Sequence, residues 1–562
     1  MDTQPPPHPI GYPPNSHIWS KGNAGRGGIG RRAAVVAALF SAGAVLADEP
    51  PKWGVHLDVE AKPGNKRSLG EMALFVPLKQ DGRSLLFGNL IGRFDDHSSR
   101  EANAGIGFRR MRPDGWNVGL YGFFDRRRSN YGNYFNQATV GAEALGRDWD
   151  FRANLYHPFG ERIRQVDSLN TAELSSASVV FRSGEERALP GFDAEVGWRV
   201  PLFVPDDRRQ LRVYLGGYRF ADALTRVSGP RARVEYTVAE LPNLWKGAEL
   251  MLGAEAQDDN VRGGQHFVSL RLRIPFGGKE RRSTLTAQER RMTAPVVRDV
   301  DIVTRAGAFG TPETVTETAT GQTITVLDSA TTTGAGLPTA VVNAGTNSTV
   351  ILSGTFNTTA TTTVQSGQTI IGSGTLAVRS PSGRTATLAL SGATVSATIA
   401  GVGNYLTNTA FLMATNSTLS GLTINLSRSG GVGAVAVYAN GISGATISGN
   451  TITGTETGAN TGIGVLLNNA TNITVSNNTI TGTTGAGTTA YALGLAGTLT
   501  TVTVTGNTLN ASGGSTNNYH TFINSSGINS GSTGNVKGSG TTCSSAGTIT
   551  GSVSYTDGST CP

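Results

Sequence analysis

Val268-Ser269-Leu270-Arg271-Leu272-Arg273-Ile274 puts Val, Leu, Leu and Ile on one side of an extended chain and Ser, Arg and Arg on the other. Successive side chains of a strand point to opposite faces, so this strand separates two unlike surroundings. The alternation recurs in Phe192-Asp193-Ala194-Glu195-Val196-Gly197-Trp198-Arg199-Val200 and in Trp149-Asp150-Phe151-Arg152-Ala153-Asn154-Leu155. A half-buried strand of a soluble sheet alternates as well, so one such strand decides nothing. A run of about a dozen, joined by tight turns with no helical stretch between, points to a closed barrel in lipid.

With Gly/Asp/Asn/Pro clusters taken as turns, strands are predicted to begin near Trp53, Glu71, Arg83, Arg100, Gly115, Asn133, Asp148, Ala188, Gln210, Gly229, Gly247 and Gln265. Their even number brings both ends of a single-chain outer-membrane barrel to one side. The phase of the alternation turns Glu143, Arg152, Glu195, Arg199, Arg212, Arg233, Glu235, Arg271 and Arg273 toward the lumen, with Asn103, Arg109, Asn117, Asp150, Asn154, Asp193, Arg231 and Glu249. Unpartnered buried charge is costly, so a lining of both signs is expected to pair across the lumen and leave room for water or a threaded chain. Trp53, Trp116, Trp149, Trp198, Trp245 and Phe276 fall near strand ends, where they suit interfacial girdles. A large soluble β-barrel or sandwich is the plainer reading of the same pattern.

Charge is spread unevenly over the 562 residues: of 47 Lys and Arg and 40 Asp and Glu, only four and five fall from Gly307 onward, so the front part carries +8 and the back −1. The arginines sit at alternate strand positions rather than in an exposed patch with interleaved aromatics, which argues against nucleic acid as a partner. Arg31-Arg32, the apolar run Ala33 to Leu46 and the small Ala47 before Asp48-Glu49-Pro50 read as a secretory signal peptide cleaved after Ala47. The run is too short to span a bilayer as a helix, and no later stretch approaches about 18 apolar residues.

From about Thr311 the chain turns Thr/Ser/Gly/Asn/Ala-rich, yet it repeats. Ser417-Thr418-Leu419-Ser420-Gly421-Leu422-Thr423-Ile424 aligns with segments beginning at Ala445, Ile473 and Val502, at spacings of 28, 28 and 29 residues. Second apolar segments lie between them, at Val435 to Tyr438, Gly464 to Leu467 and Ala492 to Leu495. Stacked repeats of this kind bury a continuous apolar column, and a right-handed parallel β-helix is the expected form. Asn450, Asn478 and Asn507 share one repeat position and are expected to form a stacked ladder at a coil corner, where Asn tolerates left-handed backbone; a glycan-binding or glycosylation role is the competing reading. Cys543 and Cys561, both past the last repeat, are expected to close a disulfide that pins the free end.

Between Thr385 and Val536 the only charged residues are Arg428 and Glu456, and the only histidine is His520. A polysaccharide lyase or hydrolase needs a carboxylate pair, or a carboxylate-bound calcium with a base. Catalytic residues, a metal site and a cofactor are therefore not expected, although Gln368-Thr369-Ile370-Ile371-Gly372-Ser373-Gly374 resembles the opening coil of many β-helix proteins, pectate-lyase-like ones included.

Several runs in the first half carry a family resemblance: Gly88 to Phe94, Asn103 to Arg109, Trp116 to Asp125, Gly141-Ala142-Glu143, Asn154-Leu155-Tyr156, Leu189-Pro190-Gly191-Phe192-Asp193, Arg231 to Glu235 and Arg273-Ile274-Pro275-Phe276-Gly277. Over roughly Trp53 to Val303 they resemble, in order, the β-domain of the intimin/invasin family, the inverse autotransporters. The resemblance implies a twelve-stranded outer-membrane barrel escorted by periplasmic chaperones, inserted by the barrel-assembly machinery, and a passenger that leaves through the pore. Arg290-Arg291-Met292 and Val297 to Val303 are similar to the family's pore-traversing linker. The sequence departs from intimin in leaving no room before Trp53 for a peptidoglycan-binding module and in lacking immunoglobulin-like repeats. The expected map is signal peptide 1–47, barrel 48–277, linker 278–310, β-helix passenger 311–540 and C-terminal disulfide cap 541–562. The expected function is export and outer-membrane display of the passenger as an adhesin for an unidentified host cell, glycan or sister cell. The alternatives are a surface-anchored polysaccharide-processing enzyme with a pectate-lyase-like β-helix and, third, a porin-like channel with a tail.

Overall fold

A computed structural model of the chain describes residues 52–203, 208–241, 247–276, 285–299, 301–401, 403–430, 433–487, 489–525, 532–539, 541–545 and 551–561. The expected signal peptide and Trp245 lie outside them.

The first half closes on itself. Strands β1 (His56–Lys62), β2 (Leu69–Gln80), β3 (Ser84–Asp95), β4 (Arg100–Met111), β5 (Asn117–Arg128), β6 (Tyr134–Leu145) and β7 (Trp149–Phe159) run as a meander. Four short strands follow outside the wall, β8 (Ile163–Gln165), β9 (Thr171–Ser175), β10 (Ser178–Arg182) and β11 (Glu185–Ala188), before β12 (Gly191–Val200), β13 (Arg209–Ala221), β14 (Arg226–Ala239), β15 (Glu249–Gln257) and β16 (Gln265–Pro275) complete it. The twelve wall strands form a closed antiparallel barrel in which β7 pairs β12 and β16 returns to β1, His56 opposite Pro275. Closure leaves no unpaired edge, which is what lets strands stand in hydrocarbon. Leu155, Leu215, Val140 and Val268 point outward and stay exposed, while Asn103, Asp125, Asp150 and Asp193 point inward and are buried. Close packing inside needs small residues under large rings: a Cβ on Gly107 would meet the Phe87 ring at 2.3 Å. No helix among the described residues is long and apolar enough to cross a membrane; the crossing is made by strands.

The second half is a parallel β-solenoid of about 7 turns. Each full coil gives a short strand, a left-handed corner, a second strand and, after a longer turn, a third. Thr418–Ser420, Thr446–Ser448, Thr474–Ser476 and Thr503–Thr505 stack in one sheet; Leu422–Ser429, Thr451–Glu456, Thr479–Thr484 and Thr508–Ser512 in the next; Ala434–Asn440, Gly462–Asn468, Thr489–Gly497 and Asn517–Ser525 in the third. Leu419, Ile447, Val475 and Val504 lie directly above one another, as do Ile424, Ile452, Ile480 and Leu509, all inside the column. Leu337 and Val341, on a seven-residue helix over Leu337–Asn343, plug one end of this core. The other end is closed by Val553, Tyr555 and Cys561, with Cys543 and Cys561 in a disulfide.

Candidate functional site: an occupied pore

The lumen is built by the inward half of each alternating strand, and a segment of the chain fills it. Helix α1 (Ala287–Arg291) stands at the mouth where β1 begins and β16 ends. Its N-terminus is set by a capping box, in which Thr286 accepts from the Glu289 amide and Glu289 accepts from that of Thr286. Trp53, expected in a membrane girdle, is instead almost fully buried inside this mouth: its indole donates to the Glu289 carbonyl at 2.8 Å, and its ring packs with Phe75, Leu85, Phe87, Leu285 and Met292. The aromatic spacing at a strand end does not encode which side of the wall the ring takes. Trp149, Trp198 and Phe276 do face outward.

Beyond α1 the described residues run without helix to Val303, and the wall holds them at successive points. Asn117 donates to the Gln288 carbonyl at 2.8 Å, Arg109 to those of Met292 and Ala294 at 2.9 and 2.7 Å, and Asn154 to that of Val297 at 3.2 Å. Further along, the Asp299 amide donates to the Tyr156 hydroxyl at 2.6 Å and the Ile302 amide to Glu101 at 2.8 Å. Charges lock the same path: Arg291 on Asp150, Arg298 on Asp125 at 2.9 Å, and Asp301 between Arg67 at 2.8 Å and Arg127 at 3.1 Å. At the far mouth the Leu189 amide donates to the Val303 carbonyl. A backbone stripped of water in this way needs every one of these partners.

The nine charged residues singled out for the lumen sit on the wall beside this path. Arg109 binds Glu143; Arg152 and Arg233 both bind Glu195, at 2.9 and 2.8 Å; Arg233 also binds Glu235 and lies over the Tyr214 ring. Arg273 holds Asp58 through two hydrogen bonds of 2.7 and 2.8 Å, Arg271 holds Glu60, Arg212 donates to the Arg147 carbonyl, and Arg199 is buried. These pairs lie within one strand or between strands at most two apart in the wall rather than spanning the lumen, whose middle a linker already occupies. A cavity of about 80 Å3 remains on one flank, bordered by Glu71, Arg93, Arg231, Arg271 and Arg298. The residues that grip the linker include Arg67, Arg93, Glu101, Tyr121, Asp125, Arg127 and Tyr156, which sequence reasoning passed over. Their signal was present for Tyr121, Asp125 and Arg127, which share the inward phase of Asn117.

In the passenger, Asn450, Asn478 and Asn507 are stacked inside the column and buried. Asn450 donates from its side chain to the Leu419 carbonyl and to Asn478 Oδ1, which accepts also from the Asn450 amide; Asn478 repeats this on Ile447 and Asn507. Asn507 repeats it on Val475 and Asn535, a fourth rung not foreseen because Val536-Lys537 breaks the repeat after it. The left-handed backbone lies one residue earlier, at Gly449, Asn477, Gly506 and Gly534 with φ of 64°, 54°, 64° and 72°. Fully bonded and inward, these amides have nothing left to offer a glycan. Arg428 and Glu456 are also buried: Arg428 donates to the carbonyls of Gly401 and Gly403, and Glu456 accepts from the amides of Gly430 and Gly458.

Residues 38–294 match the family described as inverse autotransporter, β-domain. The barrel is an inverse autotransporter β-domain. It stands in the outer membrane and the β-solenoid passenger is exposed at the cell surface. Solved structures similar to the β-domain include a chain from work on the in-meso crystallization of membrane proteins (17% identity, TM-score 0.35, covering 45% of this chain and 100% of that one). An outer membrane channel from Pseudomonas putida F1 (11%, 0.30, covering 41% and 100%) and the β-domain of the Bordetella autotransporter BrkA (12%, 0.24, covering 40% and 99%) are others. No curated protein matches the sequence.

Proposed function

We propose that this outer-membrane autotransporter exports its own second half and displays it as an adhesin for uncharged carbohydrate. The observation that carries the reading is the third sheet of the solenoid, which is apolar on both faces. Inside lie Val437, Val465, Leu493 and Leu495; on the other face Val435, Tyr438 and Ile463 form a separate cluster, with Tyr405, Leu412, Leu466 and Tyr491 half-buried at its margin. Tyr491 stacks on Phe522 with ring centroids 4.6 Å apart and lies 5.6 Å from Tyr519. Beside this platform Asn468 donates to Asn440 at 2.7 Å, an amide pair that is half-buried rather than sealed inside. Flat rings beside amides suit the apolar faces and hydroxyls of a sugar. Between Thr385 and Val536 the two charged residues, Arg428 and Glu456, are buried near strand ends, so this face offers an acidic ligand no cation, which favours a neutral glycan. A polysaccharide-processing enzyme on the same anchor would need solvent-facing carboxylates, and the census supplies none on this face.

In the same reading the β-domain is inserted by the barrel-assembly machinery after escort by periplasmic chaperones. Glu143, Arg152, Glu195, Arg199, Arg212, Arg233, Glu235, Arg271 and Arg273 act as wall braces that fix the pore's width around the threaded chain. The disulfide Cys543–Cys561 and the ladder of Asn450, Asn478 and Asn507 keep the displayed rod in one register. The test uses cells carrying the full chain on surfaces coated with neutral or acidic polysaccharide. Capture on the neutral surface is expected, with a loss of at least tenfold in Tyr491→Ala/Phe522→Ala while the passenger stays protease-resistant. Unchanged capture by that variant, or adhesion that requires the protein on both of two cells, contradicts it.

A further inference from the structure

The longest excursion of the barrel, residues 160–190 between β7 and β12, leaves the wall on the side where the linker emerges and builds sheet with what comes out. Strand β17 (Thr304–Gly307), the first segment past the pore, pairs antiparallel with β11, Thr304 opposite Ala188 and Gly307 opposite Glu185, while β8 holds the other edge of β11. Six residues on, β18 (Glu313–Val315) pairs with β10, Val315 opposite Val179. The β9–β10 hairpin then sits in the middle of a six-stranded sheet, flanked beyond β9 by the passenger hairpin of Ser373–Arg379 and Thr385–Ser391, with Ala172 opposite Leu388.

This mixed sheet clads the side of the first coils. Ile351 and Ile371, stacked in adjacent coils, point away from the solenoid core into a cluster with Val179, Phe181, Val378 and Leu388. Val179 and Phe181 belong to the barrel, and both are completely buried. The seam is tied at its rim, where Asn170 donates to the Thr385 carbonyl at 3.0 Å, the Gly184 amide to Asn170 at 2.8 Å, and Arg384 pairs with Asp167 at 2.6 Å. Without residues 160–190 those passenger side chains would face water, and β17 and β18 would each lack a partner.

We propose that this excursion has a function of its own: it is the template on which the emerging passenger begins to fold. The order of contacts matches the order of exit for a chain whose C-terminus leaves last: β17 meets β11, then β18 meets β10, and the partly formed sheet offers an apolar face to the first coil. Nucleating a solenoid is its unfavourable step, because a lone coil buries little and each later coil adds to an existing edge. A preformed hairpin anchored in the barrel removes that step from the passenger and assigns it to the translocator. The proposal concerns folding and holds whatever the displayed rod binds.

The test follows full-length protein in cells from synthesis onward, reading barrel assembly by heat-modifiable mobility, surface arrival by a C-terminal epitope, and passenger folding by resistance to added protease. Phe181→Asp and a variant with residues 171–182 replaced by a short Gly/Ser segment are expected to assemble the barrel and expose the epitope, but to gain protease resistance at least tenfold more slowly. Ile480→Ala, a buried truncation far from the seam, serves as the control: it is expected to weaken final resistance without changing the rate of gaining it. Wild-type rates in both seam variants, a seam effect on final resistance alone, or an assembled barrel whose epitope never reaches the surface would overturn the proposal.

Discussion

The barrel and the solenoid are built from the same element and turn it opposite ways. In the barrel the strands send Leu155 and Val268 outward and Asp150 and Arg152 inward, whereas in the solenoid Ile480 and Val475 go inward and Thr451 and Thr479 face out. The first arrangement is stable only with hydrocarbon around it, the second only with water around it. One chain therefore carries two halves that need different solvents, joined by a linker whose buried backbone is bonded to the wall of the first. What holds each interior differs accordingly: ion pairs and hydrogen bonds in the barrel, a dry apolar column with one polar ladder in the solenoid.

The contrast can be broken from the inside of either half. Ile480→Asp puts an unpaired charge into the dry column and is expected to cost upward of ~5 kcal/mol, read as loss of the passenger's protease resistance with barrel mobility unchanged. Arg109→Ala leaves Glu143 with only the more distant Arg152 and frees two linker carbonyls, an expected loss of about 3–5 kcal/mol for a broken buried pair. Planar-bilayer recordings should then show larger or more frequent conductance than the plugged wild type, while the solenoid's melting is unaffected. The outer faces sharpen the comparison: Leu155→Arg, near the middle of β7, should destabilise lipid-embedded barrel by roughly 2–4 kcal/mol in urea titrations, whereas Thr398→Arg on the exposed solenoid surface should stay within about 0.5 kcal/mol.

The remaining effect concerns pH and only the solenoid. His520 lies against Tyr555, ring centroids 4.7 Å apart, and burial together with nearby Lys537 pushes its imidazole down to about 4 from 6.5, against the pull of Asp557. Between those values the unfolded chain binds the extra proton, so stability is full above pH 6.5 and falls as pH drops toward 4, on the order of 1–3 kcal/mol in total. His520→Gln should flatten that part of the melting profile; an unchanged slope in the variant would remove His520 as its source.

Local pattern made much of this legible. Gln265 and Arg100 begin β16 and β4 as the alternation predicts, and the 28-residue spacing places Leu419, Ile447 and Val475 in one column, because period 2 and period 28 are set by neighbours in sequence or in adjacent coils. The excursion between β7 and β12 was not legible. A strand expected to begin near Ala188 begins at Gly191, since Glu185–Ala188 pairs with residues 304–307 and β9 and β10 find partners near 313 and 388. Pairings between segments so distant leave no periodic trace. Trp53 shows the same limit in one residue: its place inside the mouth depends on α1, which lies more than 230 positions later.

The central claim, a barrel in the outer membrane threaded by its own linker with the solenoid outside, is tested most directly by single-cysteine labelling of intact cells with a membrane-impermeant maleimide. Gly82→Cys lies in the exposed turn between β2 and β3, on the α1 side of the barrel and with open space for a side chain, and Thr398→Cys is exposed on the solenoid; the native cysteines are tied to each other. The account predicts that Thr398→Cys is labelled on whole cells and Gly82→Cys only after the outer membrane is permeabilised. Labelling of Gly82→Cys on intact cells, or protection of Thr398→Cys until permeabilisation, would contradict it.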